Sequence, residues 1–465
     1  DKRLDFISSI IRFDTGDPSP RRTIARVMGL DLMDLLKNQD KYSDELGASN
    51  GALLERLETI TKHFIWAVLN EPDASYNVIF SRMVSEEDCR DLDSIRGRIM
   101  DINTRIDASL EIDSLLNGFS GGYIPAGPSG LISRGHEEVL PTGRNFYSLD
   151  PFKVPTRVSW RVGQRLAEAL IAKHDREEGS IPENVAFYWM ASDVMSADGE
   201  MFAEMLTLLG VEPVWLPNGQ VRSFTITPLE KLGRPRIDIT VRSSGILRDN
   251  FSNCYELLDE AVQAVAALDE PSEMNYVRKH AKKNMEESGS TWRDATLRVF
   301  SSRPGTYSSG VNLAVLASAW KDEADLADIF VAWNGYAYGK DIQGQTAHTQ
   351  LAASLSTVSV TFNKVQSDEY DLLGCCCYFG THGGITAAAR HYSGNEVKPY
   401  YGDTREPENV EVRDLSDEIR RIVRTKLLNP KWIEGMKEHG YKGAADIMKR
   451  VTRVYGWEAS TREVD

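Results

Sequence analysis

Long apolar segments are missing from this sequence. The longest, such as Phe64–Leu69, fall well short of the ~18 residues that a membrane-spanning helix needs. A secretory signal pattern is missing too, and five cysteines among 465 residues do not form a disulfide framework. We therefore expect a cytoplasmic protein without a membrane span, in which the thiols stay reduced.

Basic residues are outnumbered by acidic ones. The chain has 54 Lys and Arg against 69 Asp and Glu, which gives a net charge of −15. This surplus of negative charge argues against nucleic acid as a partner. The composition, 41% hydrophobic and 26% charged, is that of an ordinary folded chain, and the length predicts about two to four domains.

Several ligand-binding motifs are also absent. The sequence has no GxxxxGK[ST] phosphate loop and no GxGxxG after a strand, so we do not expect this chain to bind ATP in the usual way. It has no HExxH and no spaced CxxC pair, so no structural zinc is implied. The chain starts at Asp1 without Met and ends at Asp465 just after a turn, which we interpret as a piece of a larger protein.

The hydrophobic pattern changes at Gly118–Gly130, a segment rich in Gly and Pro that predicts a loop. Before it, apolar residues at helical spacing predict helices over Ala52–Leu69 and Leu92–Leu116. After it, short apolar runs alternate with amphipathic stretches. Val185–Met190 is a continuous apolar run, as in a strand buried on both faces. The alternation predicts a parallel sheet covered by helices.

The remaining elements follow from the same patterns. Further strands are predicted at Val211–Leu216, Ile237–Val241, Phe330–Trp333 and Val358–Phe362. Further helices are predicted at Trp160–Lys173, Glu200–Leu209, Tyr255–Leu268, Gly383–Tyr392, Asp414–Leu428, Pro430–Gly440 and Ala444–Tyr455. We therefore predict an α/β protein with a helical N-terminal region (1–128), a Rossmann-like parallel-sheet domain (129–270), a mixed α/β region (271–400) and a helical C-terminal region (401–465).

Polar loops follow two of the predicted parallel strands, and ligands bind beyond the carboxyl ends of strands in such sheets. The loop after the first strand offers Asp193. The loop after Ile237–Val241 offers Ser244, Arg248 and Asp249 just before a helix N-terminus, where N–H groups favour an anion. We predict that these residues bind substrate. The alternative is that they only cap helices.

His382 is followed by Gly383 and Gly384, which open a predicted helix. Glycine there permits close approach of the backbone to a ligand, and a neutral imidazole takes a proton or binds a metal near neutral pH. We predict that His382 is a catalytic base or metal ligand, with both glycines beside the substrate. The alternative is a histidine that caps or packs. We interpret Cys375–Cys377 as small buried hydrophobic residues on a strand, where neighbours point to opposite faces and do not chelate one ion.

Two Gly-rich loops, Phe300–Gly310 and Trp333–Lys340, carry an arginine and several aromatic residues. The arginine, Arg303, is predicted to pair with a carboxylate of a ligand. The aromatic residues are predicted to face a flat ring, or else to pack at a domain interface; they are Tyr307, Trp333, Tyr336 and Tyr338. Arg144 and Asn145 lie in a loop bounded by Pro and Gly, and we predict that they bind an anionic substrate or hold two domains together.

Eight motifs in series carry a family resemblance. They are LPTGRNFYSLDPFKVPT (140–156), GRPRIDITVRSSGILRD (233–249), DEPSEMNYVRKH (269–280), RVFSSRPGTYSSGVN (298–312), WNGYAYGK (333–340), HGG (382–384), GDTREPENV (402–410) and LNPKWIEGMKEHGYKGA (428–444). Together they resemble the C-terminal part of the large subunit of cobaltochelatase and of its relative, the large subunit of magnesium chelatase.

The resemblance implies a fragment of the tetrapyrrole-binding large subunit of an ATP-dependent metallochelatase. Members of this family act with an AAA+ ATPase subunit and its co-subunit, which use the ATP. We favour insertion of cobalt into hydrogenobyrinic acid a,c-diamide in cobalamin biosynthesis. The alternatives are insertion of magnesium into protoporphyrin IX, or a non-catalytic module that binds an anionic small ligand. A nucleotide-dependent transferase is disfavoured because the phosphate loop is missing.

The sequence departs from the family in two places. The His- and Glu-bearing motif of the family is absent from this chain, so we expect the fragment alone to be inactive. The segment before HGG usually carries Asp and Tyr, whereas here it reads CCCYFGT from Cys375. That second departure bears on which metal is inserted or on which substrate accepts it.

Overall fold

The computed structural model describes residues 2–12, 18–147 and 149–464, without the side chain of Tyr147. The chain forms two compact units. The N-terminal unit comprises Asp1–Leu149 and Glu406–Asn409, and the sheet unit comprises Asp150–Arg405 and Val410–Asp465. The four-part division predicted from the sequence stays a prediction.

The N-terminal unit is helical, as expected. Its helices are Lys2–Arg12, Pro20–Val27, Leu32–Lys37, Asn50–Asn70, Tyr76–Ile79, Glu86–Asp107 and Glu111–Phe119, and its two short strand pairs are Tyr42–Ser43 with Ala48–Ser49 and Ala126–Pro128 with Asn145–Tyr147. Its core is aliphatic, with Ile10, Leu57 and Ile99 fully buried beside Phe64.

One predicted helix of this unit is interrupted. The sequence predicted a continuous helix over Leu92–Leu116, but the first helix ends at Asp107 and the next begins at Glu111. The backbone between them bonds to another loop, because the Leu110 N–H donates to the Thr142 carbonyl and the Thr142 N–H donates to Ser109 Oγ. A helix cannot continue through a segment whose backbone groups are used in this way.

The sheet unit is built on one eight-stranded mixed sheet. In chain order its strands are β1 (Asn184–Trp189), β2 (Asp238–Ser243), β3 (Val299–Ser301), β4 (Tyr336–Gly339), β5 (Ile342–Thr346), β6 (Val360–Val365), β7 (Lys398–Asp403) and β8 (Glu411–Asp414). Their order across the sheet is β5-β4-β3-β2-β1-β6-β7-β8. The central neighbours from β3 to β7 are parallel, and the outer pairs β3–β4, β4–β5 and β7–β8 are antiparallel. The predicted parallel sheet is therefore the centre of a mixed one.

The central strands are buried on both faces. Every residue of β1, β2 and β6 is buried, as parallel strands covered by helices require. In the register of the sheet, Phe187 lies between Val241 on β2 and Phe362 on β6. The strand order reverses at β1, since the next two strands lie to one side of it and β6 and β7 lie to the other.

Helices cover both faces of this sheet and extend to the C-terminus. They are Arg157–Glu178, Ala191–Ala197, Glu200–Leu209, Leu229–Leu232, Gly245–Asn250, Ser252–Ala266, Tyr276–Ser288, Trp292–Ala295, Val311–Leu316, Glu323–Asn334, His348–Leu355, Gly384–Ser393, Leu415–Ile422, Pro430–Lys437 and Gly440–Thr461. Among the described residues, no helix has the length and apolarity that crossing a bilayer demands.

Two predicted strands are wrong in type or place. Phe330–Trp333 belongs to the helix Glu323–Asn334, which Asp322 caps by accepting the Asp325 N–H. The buried residues of that helix recur at helical spacing, which a four-residue apolar run does not reveal. Val211–Trp215 is a strand, but it pairs antiparallel with Val221–Ile226 in a separate two-stranded sheet.

The C-terminal helices follow the predictions with shifted ends. The helix predicted at Asp414–Leu428 ends at Ile422 and continues as a wider turn, Val423–Leu427. Asn429 caps the next helix by accepting the Lys431 N–H, and that helix ends at Lys437 rather than Gly440.

The cysteine segment is not a strand. Cys375 is extended and precedes a short helix, Cys376–Tyr378, which leads through the wide turn Phe379–Gly383 into the helix Gly384–Ser393. The prediction that these cysteines alternate between two faces of a strand is therefore wrong, because a helical turn brings neighbouring side chains round to one side.

Candidate functional site

The segments that leave the carboxyl ends of the parallel strands hold six of the residues predicted to bind substrate: Asp193, Ser244, Arg248, Asp249, Arg303 and Tyr307. Because these strands run in one direction, the loops after β1, β2, β3 and β6 meet at one edge of the sheet. We call it the carboxyl edge. Direct hydrogen bonds link the loops to one another, which makes this edge one structure rather than several separate turns.

Ser244 and Asp193 hold the backbone at this edge. Ser244 Oγ accepts the Leu247 N–H at 3.3 Å and the Ala191 N–H at 3.1 Å, so it caps a short helix and ties two loops together. Asp193 is buried and accepts the Met201 N–H at 2.8 Å. The contacts of Ser244 are therefore those of a helix cap. Asp193 also holds backbone N–H groups in place.

Arg248 organises the loop after β3. Its guanidinium is buried and donates to the carbonyls of Ser302, Arg303 and Thr306 at 2.9–3.2 Å. It also pairs with Asp249, with 2.7 Å between Nε and Oδ1. This partner lowers the pKa of Asp249. With its donors used in this way, Arg248 fixes the loop in place and has little capacity left for a ligand.

Aromatic residues complete this cluster. The Tyr307 hydroxyl donates to Asp249 Oδ2 at 2.7 Å, and the Tyr338 hydroxyl donates to the Ser302 carbonyl at 2.8 Å. Tyr338 is buried, and burial raises its pKa to about 12. Tyr336 packs edge-on against the ring of His348, with 5.1 Å between centroids. Tyr336 and Tyr338, the two tyrosines of β4, therefore both have partners inside the protein.

Three of the predicted residues face outward. Arg303 is exposed and forms no ion pair within the described part of the chain. Tyr307 is 59% exposed and Trp333 is 40% exposed. A side chain at Gly310, which has a φ of +84°, would meet the Trp333 ring at 2.6 Å. We call Arg303, Tyr307 and Trp333 the rim: one cation and two ring faces available to a ligand.

His382 lies in the core. It is fully buried, and its Nε2 lies 3.2 Å from Thr361 Oγ1 on β6. The Tyr401 ring stacks on it at 6.1 Å and the Trp457 ring meets it edge-on at 5.8 Å. Its Nδ1 has no hydrogen-bond partner among the described residues. Burial lowers the pKa of His382 to about 3, so the imidazole is neutral at physiological pH.

The glycines beside His382 have a packing explanation. A Cβ on Gly383 would lie 2.0 Å from Ser460 Oγ, and one on Gly384 would lie 2.8 Å from the Phe330 ring. Both glycines therefore let this helix approach its neighbours closely. Their contact with a substrate, like the role of His382 as a base or metal ligand, stays a prediction.

Arg144 and Asn145 belong to the N-terminal unit. Arg144 Nη2 donates to the carbonyls of Glu138 and Val139, both at 2.9 Å. The Asn145 N–H donates to the Pro125 carbonyl at 2.8 Å. Arg144 also lines a pocket beside Phe146, which is 74% exposed. Their binding of an anionic substrate stays a prediction.

The sequence interpretation overlooked two features of the carboxyl edge. Cys375, Cys376 and Cys377 bring their sulfur atoms within 4.8 Å of one another, the only such group of three potential ligands among the described residues. Arg242 on β2 is buried, and its Nε donates to Asn334 Oδ1 at 3.0 Å. A charged residue within a fully buried strand was a signal available in the sequence. The cysteine cluster was hidden by the wrong assignment of a strand.

The chain belongs to the CobN/magnesium chelatase family, whose model it matches over residues 1–465. The resemblance inferred from the sequence is therefore confirmed. A solved structure, the catalytic subunit of cobaltochelatase from Mycobacterium tuberculosis, has a TM-score of 0.87 and 33% identity to this chain, and the likeness covers 100% of this chain and 38% of that one.

Curated relatives come from both branches of the family. The aerobic cobaltochelatase subunit CobN of Pseudomonas aeruginosa is 37% identical over 89% of this chain and 33% of its own length. The corresponding magnesium-chelatase subunit of Chlorobaculum parvum is also 37% identical, over 80% of this chain and 29% of its own length. An uncharacterized protein of Methanocaldococcus jannaschii is 60% identical over 80% of this chain and 30% of its length. The chain thus spans about a third of the length of these relatives.

Proposed function

We propose that this chain is the C-terminal part of the tetrapyrrole-binding large subunit of a cytoplasmic, ATP-dependent metallochelatase. The observation that carries the proposal is the family match over residues 1–465, supported by a structural likeness to a catalytic chelatase subunit that covers the whole chain. An AAA+ ATPase subunit and its co-subunit would hydrolyse the ATP, consistent with the absence of a phosphate loop here.

The preferred reaction is insertion of cobalt into hydrogenobyrinic acid a,c-diamide, with magnesium and protoporphyrin IX as the alternative. Insertion removes two N–H protons from the ring and therefore needs a base. It also strips water from the ion and holds the ring in place. A tetrapyrrole offers a flat face to aromatic side chains and peripheral carboxylates to arginine.

The carboxyl edge suits such a ligand. We propose that the sheet is used in the manner of a Rossmann-like fold, with the ligand beyond the strand ends where the order reverses. The rim residues Arg303, Tyr307 and Trp333 would contact the tetrapyrrole. Arg248 and Asp249 would keep the rim loop rigid, so that little ordering is needed on binding.

His382 is our proposed base, and to act as one it needs a higher pKa than it has while buried. A neutral imidazole accepts a proton, but a pKa of about 3 makes it a weak base while it stays buried. Contact with solvent or with a substrate carboxylate would raise that pKa. We therefore propose that His382 acts after the segment Phe379–Gly383 opens toward the substrate.

The test measures tetrapyrrole binding by this chain, with quenching of tryptophan fluorescence as the signal. Hydrogenobyrinic acid a,c-diamide and protoporphyrin IX are titrated separately. Trp333→Ala and Arg303→Ala should each weaken binding of the preferred ring by about tenfold, the scale of one lost stacking or charged contact (~1–1.5 kcal/mol).

Trp66 provides a matched control. It is 40% exposed, as is Trp333, but it lies in the N-terminal unit. Trp66→Ala should leave tetrapyrrole affinity unchanged. Binding of neither ring by the wild-type chain would contradict the proposed function, and equal losses for Trp66→Ala and Trp333→Ala would contradict the role of the rim.

A further inference from the structure

Three consecutive cysteines form a compact thiol cluster at the carboxyl edge. The sulfur atoms of Cys375, Cys376 and Cys377 all lie within 4.8 Å of one another, and each residue is partly exposed. Sulfur ligands of one tetrahedral ion are separated by about 3.8 Å, given a metal–sulfur bond of ~2.3 Å. Small rotations of the side chains would therefore bring all three sulfurs onto one ion.

Backbone and side-chain N–H groups already point at the sulfurs. The Cys377 N–H donates to Cys375 Sγ at 3.4 Å, and Asn312 Nδ2 donates to Cys376 Sγ at 3.6 Å. Such donors favour a thiolate over a thiol and orient it, as the outer hydrogen bonds of metal sites do. Asn312 is itself held by the hydroxyl of Ser308, which donates to its Oδ1 at 3.1 Å.

Two arginines supply positive charge near the cluster. Arg453 Nη1 donates to the Leu373 carbonyl at 2.7 Å, two residues before Cys375. Arg242 Nη2 donates at 3.5 Å to the carbonyl of Ser308, the residue that holds Asn312. Arg242 is buried and forms no ion pair with a carboxylate of the described residues; its guanidinium instead lies 5.7 Å from the centroid of the Tyr188 ring. A buried cation without a carboxylate calls for another anion nearby. Loss of the thiol protons on metal binding would place negative charge at this cluster.

We propose that Cys375, Cys376 and Cys377 together bind a thiophilic first-row divalent metal ion, in the class of Co²⁺, and hold it for insertion into the tetrapyrrole. The site itself is inferred from geometry, whereas its purpose rests on the proposed function. When the ion binds, the thiol protons leave to solvent and no electron is transferred.

The ligand set explains both the choice of ion and its release. Thiolates select first-row transition metals, whereas Mg²⁺ takes oxygen ligands and keeps its waters. Three protein ligands leave one coordination position open, as in sites that exchange ligands, whereas a structural site is closed by four. A partly exposed site with an open position suits an ion that must move on to a ring nitrogen.

The experiment is an anaerobic titration of the 465-residue chain with CoCl₂ in the presence of a phosphine reductant. Thiolate ligation produces a sulfur-to-cobalt charge-transfer band in the near ultraviolet and intense visible bands typical of tetrahedral cobalt. The wild-type chain should show both bands at one equivalent of Co²⁺, and a large excess of Mg²⁺ should not reduce them.

The chain offers an internal control, because it has only two other cysteines, Cys89 and Cys254. A variant with Cys89→Ala and Cys254→Ala should keep both bands. A variant with Ser at positions 375, 376 and 377 should lose them while keeping the wild-type circular dichroism spectrum. Asn312→Ala, which removes one N–H donor, should weaken cobalt binding by about tenfold.

The outcomes separate this inference from the proposed function. Absence of the charge-transfer band in the wild-type chain, or its survival in the triple serine variant, would overturn the metal site even if the tetrapyrrole binds. A band that depends on the three cysteines, in a chain that binds no tetrapyrrole, would support the metal site and refute the chelatase role.

Discussion

Glu204 is a buried acid whose uncharged form is favoured by its surroundings. It is fully buried in the helix Glu200–Leu209, and neither carboxyl oxygen has a hydrogen-bond partner among the described residues. Lys364 is nearby but pairs with Glu200 at 3.0 Å and Asp193 at 3.3 Å. Burial raises the pKa of Glu204 well above its usual range. Above the ordinary pKa of a glutamate, the folded chain therefore holds this proton more tightly than the unfolded chain does.

This proton makes stability fall as pH rises. Above the unfolded pKa of about 4.3, the folded state binds more protons than the unfolded state, so the free energy of unfolding decreases with pH. Glu204→Gln removes that dependence without a large change of volume. We expect the variant to melt at least ~2 °C above wild type at pH 8, the scale of about 1 kcal/mol in a large domain, and to lose this advantage near pH 5.

Glu212→Gln is the matched control for this prediction, since Glu212 is an exposed residue of the strand Val211–Trp215. It should leave the pH dependence of the melting temperature unchanged. Parallel melting curves for wild type and Glu204→Gln from pH 5 to pH 8 would show that Glu204 is ionised in the folded protein.

His382 makes stability depend on pH in the opposite direction, so that stability falls as the pH drops. Its folded pKa is about 3, against about 6.5 when unfolded. Between these values only the unfolded chain binds the proton, so stability is complete above about pH 6.5 and falls as the pH drops through that window. We expect His382→Gln to lose less stability than wild type between pH 7 and pH 5, measured by denaturant unfolding at each pH.

Two substitutions of His382 distinguish a catalytic role from a purely structural one. His382→Ala removes a fully buried ring packed against Tyr401 and Trp457 and should cost about 2–5 kcal/mol of stability. His382→Gln fills more of the space and retains a polar group near Thr361. In the full-length chelatase, both variants should lower the insertion rate by ~10²-fold or more if the imidazole is the base. A normal rate for a folded His382→Gln variant would assign His382 to the core alone.

At the scale of elements, the sequence predicted best where burial follows a simple pattern. The strand at Val185–Met190 and the helix at Glu200–Leu209 are present as expected because each has a continuous or periodic apolar signature. Gly210 ends that helix in a left-handed conformation, which glycine adopts readily. The apolar run at Phe330–Trp333 is too short to show whether it forms a buried helix or a strand. In the structure it belongs to the helix Glu323–Asn334.

Pairing between elements was harder to predict than the elements themselves. Val211–Trp215 was recognised as a strand, but its partner, Val221–Ile226, is a local neighbour outside the main sheet. The candidate site shows the same limit. Loops at the carboxyl edge were located from strand direction, whereas the contacts of Arg248 with the loop at Ser302–Thr306 depend on residues far apart in sequence. The cysteine cluster required a helical turn that the apolar pattern did not indicate.

At the scale of the whole molecule, the chain is about a third of the length of its relatives. It carries the carboxyl edge with its rim and thiol cluster, but no phosphate-loop motif. Under the proposed function, this chain would bind the ligand and the ATPase subunits of the complex would supply the energy. Binding of a ring or an ion needs only a preformed site, whereas insertion also needs the ion to be dehydrated and the ring to be held against it.

We expect this chain alone to bind tetrapyrrole, to hydrolyse no ATP, and to insert no metal. The sequence lacks the loop that would cradle phosphates, and His382 is buried as a weak base. The measurements are phosphate release and the change in tetrapyrrole absorbance on metal insertion, each with cobalt and with magnesium. The full-length large subunit with both partner subunits and ATP serves as the positive control and should insert one of the two ions. Insertion by the purified chain alone would contradict the expectation that this chain needs its partners.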